Sequence, residues 1–238
     1  MSIPSNTDPV KPRARYASTR RRAQATQTRE DIVAAALDLF LHQGYLGTTI
    51  VAVATAAGVA VETIYRVFGS KAALFKSVVE AAVAGGAARA MVPVEQRPAI
   101  KAMIEEEDPR RILELHAATQ PGIHARAGPL YRVLIEAATG DTELARVWTQ
   151  LEAQRLEGMK NIARLLADRR ALRPGLSIEE AADVLWTINS LAVYDLLVLG
   201  RGWPPERYRD WITATNARAL LDRGEEPIQR KAPARRER

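Results

Sequence analysis

The stretch Val61–Arg66 gathers side chains able to read or grip a polyanion. It offers the methyls of Val61, the carboxylate of Glu62, the hydroxyl of Thr63, the phenol of Tyr65 and the guanidinium of Arg66. Base edges in a major groove are read through hydrogen bonds and methyl contacts, and phosphates are held by cations and hydroxyls. From Thr63 to Val78 the chain carries Arg66, Lys71 and Lys76 and no acidic residue, a charge edge suited to phosphate docking. Other chemistries lack material. There is no Cys, which excludes disulfides, thiolate metal sites and cysteine nucleophiles. Glu114 and His116 are two apart and point to different sides of a helix, and His42 and His124 lack suitably spaced carboxylates. No P-loop, His-Glu-x-x-His or dinucleotide fingerprint occurs. No catalytic residue, cofactor or metal site is expected.

The elements that must position these groups all read as helix. Thr49–Ala57 and Val61–Phe68 are two short helices separated around Gly58, a spacing that permits a helix-turn-helix. Ile64 and Phe68, one turn apart, give the second helix an apolar side opposite its polar one. Upstream, Ile32, Val33, Ala36, Leu37 and Phe40 mark one buried face of a helix over Thr28–Gln43. Thr28 with Asp31 resembles a capping box, and Gly44 suits a left-handed stop. Another helix follows Ser70. In the second half, Asp108-Pro109 signals a helix to about Arg126, bent at Pro121-Gly122, with a separate one over about 128–139 ending at Gly140. Asp141 caps a long helix to about Ala171, striped by Leu144, Val147, Trp148, Leu151, Met159, Ile162, Leu165 and Leu166. Ser177 with Glu180 opens a helix to about Leu199, and a last one spans about Glu206–Leu221. No stretch alternates with period two. The expected fold is all-α.

Residues 28–76 resemble the DNA-binding domain of TetR-family transcriptional regulators. The pieces that carry the resemblance are LDLFLHQGYLGTT, AAGVAVETIYRVF and GSKAALF. The resemblance implies an N-terminal three-helix DNA-binding head followed by a helical ligand-binding and dimerisation domain. It also implies phosphate contacts from Thr49, Tyr65 and Lys71, and base-edge positions at Val61, Glu62 and Thr63. Arg66 joins this set by its charge. Two departures stand out. Ala60 occupies a place where the family commonly has Ser, so a capping hydroxyl is missing, and Glu62 stands where Gly is frequent.

Downstream, the resemblance implies that helices over about 142–171 and 178–199 pair two subunits. The second is nearly apolar all round, which calls for burial on more than one side. His116, Tyr131, Trp148, Trp186 and Asn189 are aromatic or polar-tipped residues on apolar helices and are candidates to line an effector cavity for a largely apolar molecule; each could equally be an ordinary core residue. The expected function is a homodimeric, ligand-responsive regulator, a repressor on a palindromic operator read by residues 61–68. The alternatives are a ligand-independent activator or architectural DNA binder, and a helical-bundle enzyme or binding module.

The net charge of +6 over 238 residues is unevenly placed. Residues 1–24 hold six cations against Asp8, and residues 223–238 hold six cations against three acids, so the rest of the chain sums to −2. Both ends are expected to be mobile basic tails, around a head over 25–76 and a helical domain over 77–222. No apolar run approaches the ~18 residues of a membrane span, and the N-terminus has no secretory apolar stretch, so the expected compartment is the cytoplasm.

Overall fold

The computed structural model describes residues 12–222, with residues 12–22 described as backbone only. Eleven α-helices account for most of the described residues: α1 (Pro12–Gly47), α2 (Ile50–Ala57), α3 (Val61–Phe68), α4 (Lys71–Ala84), α5 (Ala87–Ala90), α6 (Pro98–Glu105), α7 (Pro109–Ala138), α8 (Thr142–Asp168), α9 (Ile178–Ile188), α10 (Leu191–Tyr194) and α11 (Pro205–Leu220). Among the described residues extended pairing is limited to an isolated bridge between Leu172 and Leu221. The chain forms two compact units. One combines the described residues up to Pro93 with Ala125–Thr149. The other combines Val94–His124 with the described residues from Gln150 onward.

In the first unit α1 packs against α2 and α4, and α3 bridges α2 and α4. Its centre is aromatic. Phe40 meets Phe75 edge-on at 4.8 Å between ring centroids, and Tyr45 meets Phe75 at 5.5 Å. Ile32, Ala36, Val53, Ile64, Leu74 and Val78 fill the space around them, each at most 1% exposed. Gly58 closes α2 with φ 65°, a left-handed conformation that glycine adopts without a Cβ clash. Gly44 breaks α1 at φ 68°, as its position after the amphipathic run predicts.

In the second unit one apolar cluster joins Ile112, Leu113, Ile162, Leu166, Ala182, Leu185 and Leu220. A second joins Ala117, Tyr194, Tyr208 and Ile212. The capping box at Ser177 and Glu180 forms as predicted, with Ser177 N donating to Glu180 Oε2 at 2.9 Å and Glu180 N donating to Ser177 Oγ at 3.2 Å. Asp141 caps α8, its Oδ1 accepting from Glu143 N at 2.8 Å and Leu144 N at 3.1 Å.

Several boundaries differ from the sequence reading. The expected mobile arm over 1–24 is helical backbone from Pro12 on. Between Pro12 and Gly44 there is neither Pro nor Gly, so a helix nucleated by the packed part of α1 extends back through Arg-, Ala- and Gln-rich sequence. Residues 1–11 and the basic tail over 223–238 lie outside the described residues. Thr28 is therefore not a cap: its hydroxyl donates to Gln24 O at 2.9 Å inside the helix. The expected break between about Arg126 and Gly128 is absent, and α7 runs unbroken through both Pro121 and Gly128. Buried Ala127 and Leu130 on either side of Gly128 hold the path, which offsets glycine's lower helix propensity.

The expected single helix over 178–199 is interrupted instead. Asn189 ends α9, its Nδ2 donating to Leu185 O at 2.7 Å, and Ser190 starts α10 by accepting from Val193 N at 3.3 Å. Asn and Ser side chains compete in this way with the helical ladder. A wider π-type turn, Asp195–Gly200, follows. The stretch Ile178–Gly200 is also long and apolar enough, by length and composition, to cross a membrane, contrary to the sequence reading, because small residues between its leucines and valines keep the average apolar. Only 22% of its most apolar window is buried within the chain.

Ala60 has the extended backbone of an N-cap (φ −72°, ψ 148°) but supplies no side-chain bond to α3. Ala60→Ser is expected to stabilise the protein by about 1 kcal/mol, and Gly58→Ala to destabilise it by about 1 kcal/mol or more. Thermal denaturation of the two variants measures both; an Ala60→Ser variant melting below the parent would contradict the cap geometry.

Candidate nucleic-acid interface

The two unlike faces of α3 position the site. Ile64 and Phe68 are buried, while Glu62, Tyr65 and Arg66 are exposed, Tyr65 to 51%. A tyrosine this exposed beside a packed core is held out by its position on the helix, since residues 64 and 68 share one face and 62, 65 and 66 lie away from it. Val61 and Thr63 are half-buried at the rim. Arg66 Nη2 reaches Thr63 Oγ1 at 3.5 Å, so the two polar groups share one side of the helix. Arg29, from α1, secures the buried side. Its guanidinium carbon lies 4.5 Å from the Phe68 ring centroid, and its Nη2 donates to Ser77 Oγ at 3.2 Å.

Thr49 caps α2, its Oγ1 accepting from Ala52 N at 3.0 Å. That bond uses the oxygen as acceptor and leaves the hydroxyl proton to donate outward. Lys71 is half-buried. Its Nζ sits 4.1 Å from the Tyr45 ring centroid, and burial lowers its pKa, opposed by the charge of Asp141. Burial and the charges of Asp141 and Glu143 push the Tyr45 phenol up to about 12.

Sequence reasoning missed the two residues that grip the ends of α4. Ser70, its N-cap, accepts from Ala73 N at 3.1 Å and donates to Glu143 Oε1 at 2.7 Å. At the other end Arg126 Nε donates to Ala82 O at 3.0 Å. An anion at the start and a cation at the end complement the helix dipole. The Gly-Ser signal was visible; its partner 73 positions away was not.

The expected effector residues fall into two places. Tyr131 and Trp148 meet edge-on at 6.0 Å in the first unit. His116, Trp186 and Asn189 belong to the second. There, His116, Gln120 and His124 form one stripe of α7, and Tyr208, Ile212 and Asn216 one stripe of α11. His124 stacks on Tyr194 at 4.9 Å and meets Tyr208 at 6.1 Å. Buried polar atoms without a protein partner accumulate in this unit: His116 Nε2, Trp186 Nε1, Asn189 Oδ1, Tyr208 Oη and both side-chain polar atoms of Asn216. Arg155 stands over the Trp186 ring at 4.4 Å and is engaged by Glu152 at 2.8 Å and by Trp186 O at 2.7 Å.

Residues 32–78, which hold α2, α3, the C-terminal part of α1 and the N-terminal part of α4, match the model of the bacterial regulatory proteins of the tetR family. This segment is a TetR-type DNA-binding helix-turn-helix, which supports a transcriptional regulator rather than an enzyme. No curated protein matches the sequence. Solved TetR-family structures share the fold. NalD, the secondary repressor of the MexAB-OprM multidrug efflux pump in Pseudomonas aeruginosa, is similar at 23% identity and TM-score 0.61, over 82% of this chain and 96% of that one. A TetR-family regulator from Mesorhizobium loti gives 20% and 0.62, over 83% and 98%. FadR from Bacillus subtilis, in complex with stearoyl-CoA, gives 17% and 0.62, over 79% and 97%.

His116 provides a test of the second unit's interior. Burial, helped by the charge of His124, lowers its pKa from 6.5 to about 4. The unfolded chain then binds the proton more tightly than the folded one. Its contribution is complete above pH 6.5 and lost as pH falls from 6.5 to about 4, by roughly 3 kcal/mol. Urea midpoints across that window should fall, and His116→Gln should flatten the fall. An identical pH profile in the variant would show that His116 is not held neutral.

Proposed function

We propose that this protein is a homodimeric, effector-responsive repressor of the TetR type whose α3 reads each half of a palindromic operator. The observation that carries the reading is α3 itself: Ile64 and Phe68 lock it to the head while Glu62, Tyr65 and Arg66 face outward. In this reading Val61, Glu62 and Thr63 meet base edges, with Glu62 accepting from a cytosine amino group. Thr49, Tyr65, Arg66 and Lys71 meet phosphates.

Two subunits are supported by the incompletely buried apolar stretch Ile178–Gly200, where Leu196 and Leu199 are 68% and 60% exposed. Burying such side chains gains about 1.5–3 kcal/mol each. A two-fold dimer would offer two reading helices to sites one DNA turn apart. An effector is supported by the buried polar atoms around α7 and α11. Each costs about 1–3 kcal/mol while unpaired, a cost that a hydrogen-bonding ligand offsets. NalD is a repressor, and stearoyl-CoA is bound to FadR; both support the reading by likeness of fold. A ligand shifts DNA binding only as far as its affinities for the two states differ.

Selection from a random duplex pool should return an inverted repeat, and Tyr65→Phe should weaken binding about fivefold on every sequence. Recovery of no enriched site would overturn operator reading. Light scattering should give twice the 26.2 kDa chain mass, and Leu196→Glu with Leu199→Glu should return it to one. A parent protein already at the single-chain mass would remove the dimer.

A further inference from the structure

We propose that Asp141 and Glu143, at the start of α8, set the strength of DNA binding by holding Lys71 and Ser70 in competition with a DNA phosphate. The inference rests on the reading of Lys71 as a phosphate contact. All the groups concerned belong to the same compact unit.

The Ser70 hydroxyl has one proton to donate, and Glu143 Oε1 takes it at 2.7 Å. Lys71 is drawn down onto the Tyr45 ring at 4.1 Å, within the field of Asp141. The same two carboxylates act on the Tyr45 phenol, which places all five side chains in one locale. A phosphate arriving at the start of α4 meets a Ser70 hydroxyl already engaged by Glu143 and a Lys71 ammonium already seated on the Tyr45 ring.

The charges exceed what the helix requires. Asp141 caps α8 through one oxygen, a task that Asn performs equally well. Glu143 is exposed, and its carboxylate is spent on the Ser70 hydroxyl. A neutral glutamine would accept that bond too. Two negative charges are thus set beside the start of a helix that is otherwise suited to an anion. Their effect on a polyanion is repulsive, and the charge of Asp141 favours protonated Lys71 where it lies, in competition with a phosphate.

The full-length parent is compared with Asp141→Asn, Glu143→Gln, their double variant, Lys71→Ala and the triple combination. Binding to a mixed-sequence duplex is read by fluorescence anisotropy from about 50 to 200 mM salt. Asn keeps the cap and Gln keeps the acceptor, and thermal melts check that the fold is intact; if Asp141→Asn melts low, Glu143→Gln alone carries the test. The double variant should bind about threefold to tenfold tighter at low salt, with a steeper salt dependence. In the Lys71→Ala background less than half of the gain, as a free energy, should remain. No gain, or an equal gain without Lys71, overturns the proposal while the phosphate role of Lys71 stands, provided Lys71→Ala itself binds more weakly. Parental binding by Lys71→Ala overturns both.

Discussion

The outward face of α3 depends on the burial of two side chains, Ile64 and Phe68. An eight-residue helix such as α3 is too short to persist alone in water. Its conformation and its facing are imposed by docking those residues into the core of the first unit. Because Phe68 is also covered by Arg29, the anchor draws on α1 as well as on the neighbouring helices. The rotation of α3 about its axis follows: once 64 and 68 face inward, 62, 65 and 66 must face out. A phenol and a carboxylate that would be costly to bury acquire their exposure from two apolar neighbours rather than from any contact of their own.

The second unit is built on a different compromise. Its apolar clusters are closed by aliphatic packing, yet its interior retains His116, Asn189, Tyr208 and Asn216, all at most 3% exposed. Replacing them with leucine-sized residues would suit the core better if the core were the whole purpose. Their presence, three of the four on the stripes of α7 and α11, leaves polar groups inside the unit at a cost in stability. All four are uncharged near neutral pH: His116 is kept neutral by burial, and burial raises the Tyr208 phenol. Uncharged donors and acceptors discriminate by direction rather than by field.

Local signals in the sequence were informative where a single short-range interaction decides the structure. The Ser177–Glu180 box, the Asp141 cap, the left-handed Gly44 and Gly58, and the alternating faces of α3 were all legible, because each depends on residues within one turn. The errors have one physical origin. Thr28–Asp31 has the composition of a cap, but the upstream chain had no reason to stop, and propagation won. Gly128 has the composition of a break, but its buried neighbours Ala127 and Leu130 hold one continuous helix. Asn189-Ser190 has no breaker residue, yet its side chains divert the ladder. Neither the grip of Glu143 on Ser70 nor the stacking of Lys71 on Tyr45 could be read, since both depend on residues distant in the chain arriving at the start of α4.

The bonds at the two ends of α4 have a mechanical consequence. The helix has 14 residues and spans about 21 Å, and it is fastened near its first residue by Glu143 and near its last turn by Arg126. A rod pinned at both ends cannot pivot about either one. A displacement of 125–149 would therefore reach α4 as a translation of the whole strut, carrying Lys71 through the full distance instead of letting the helix absorb it by tilting. The head would be adjusted in position with its internal packing unchanged, so sensitivity to small movements would come from stiffness rather than from slack.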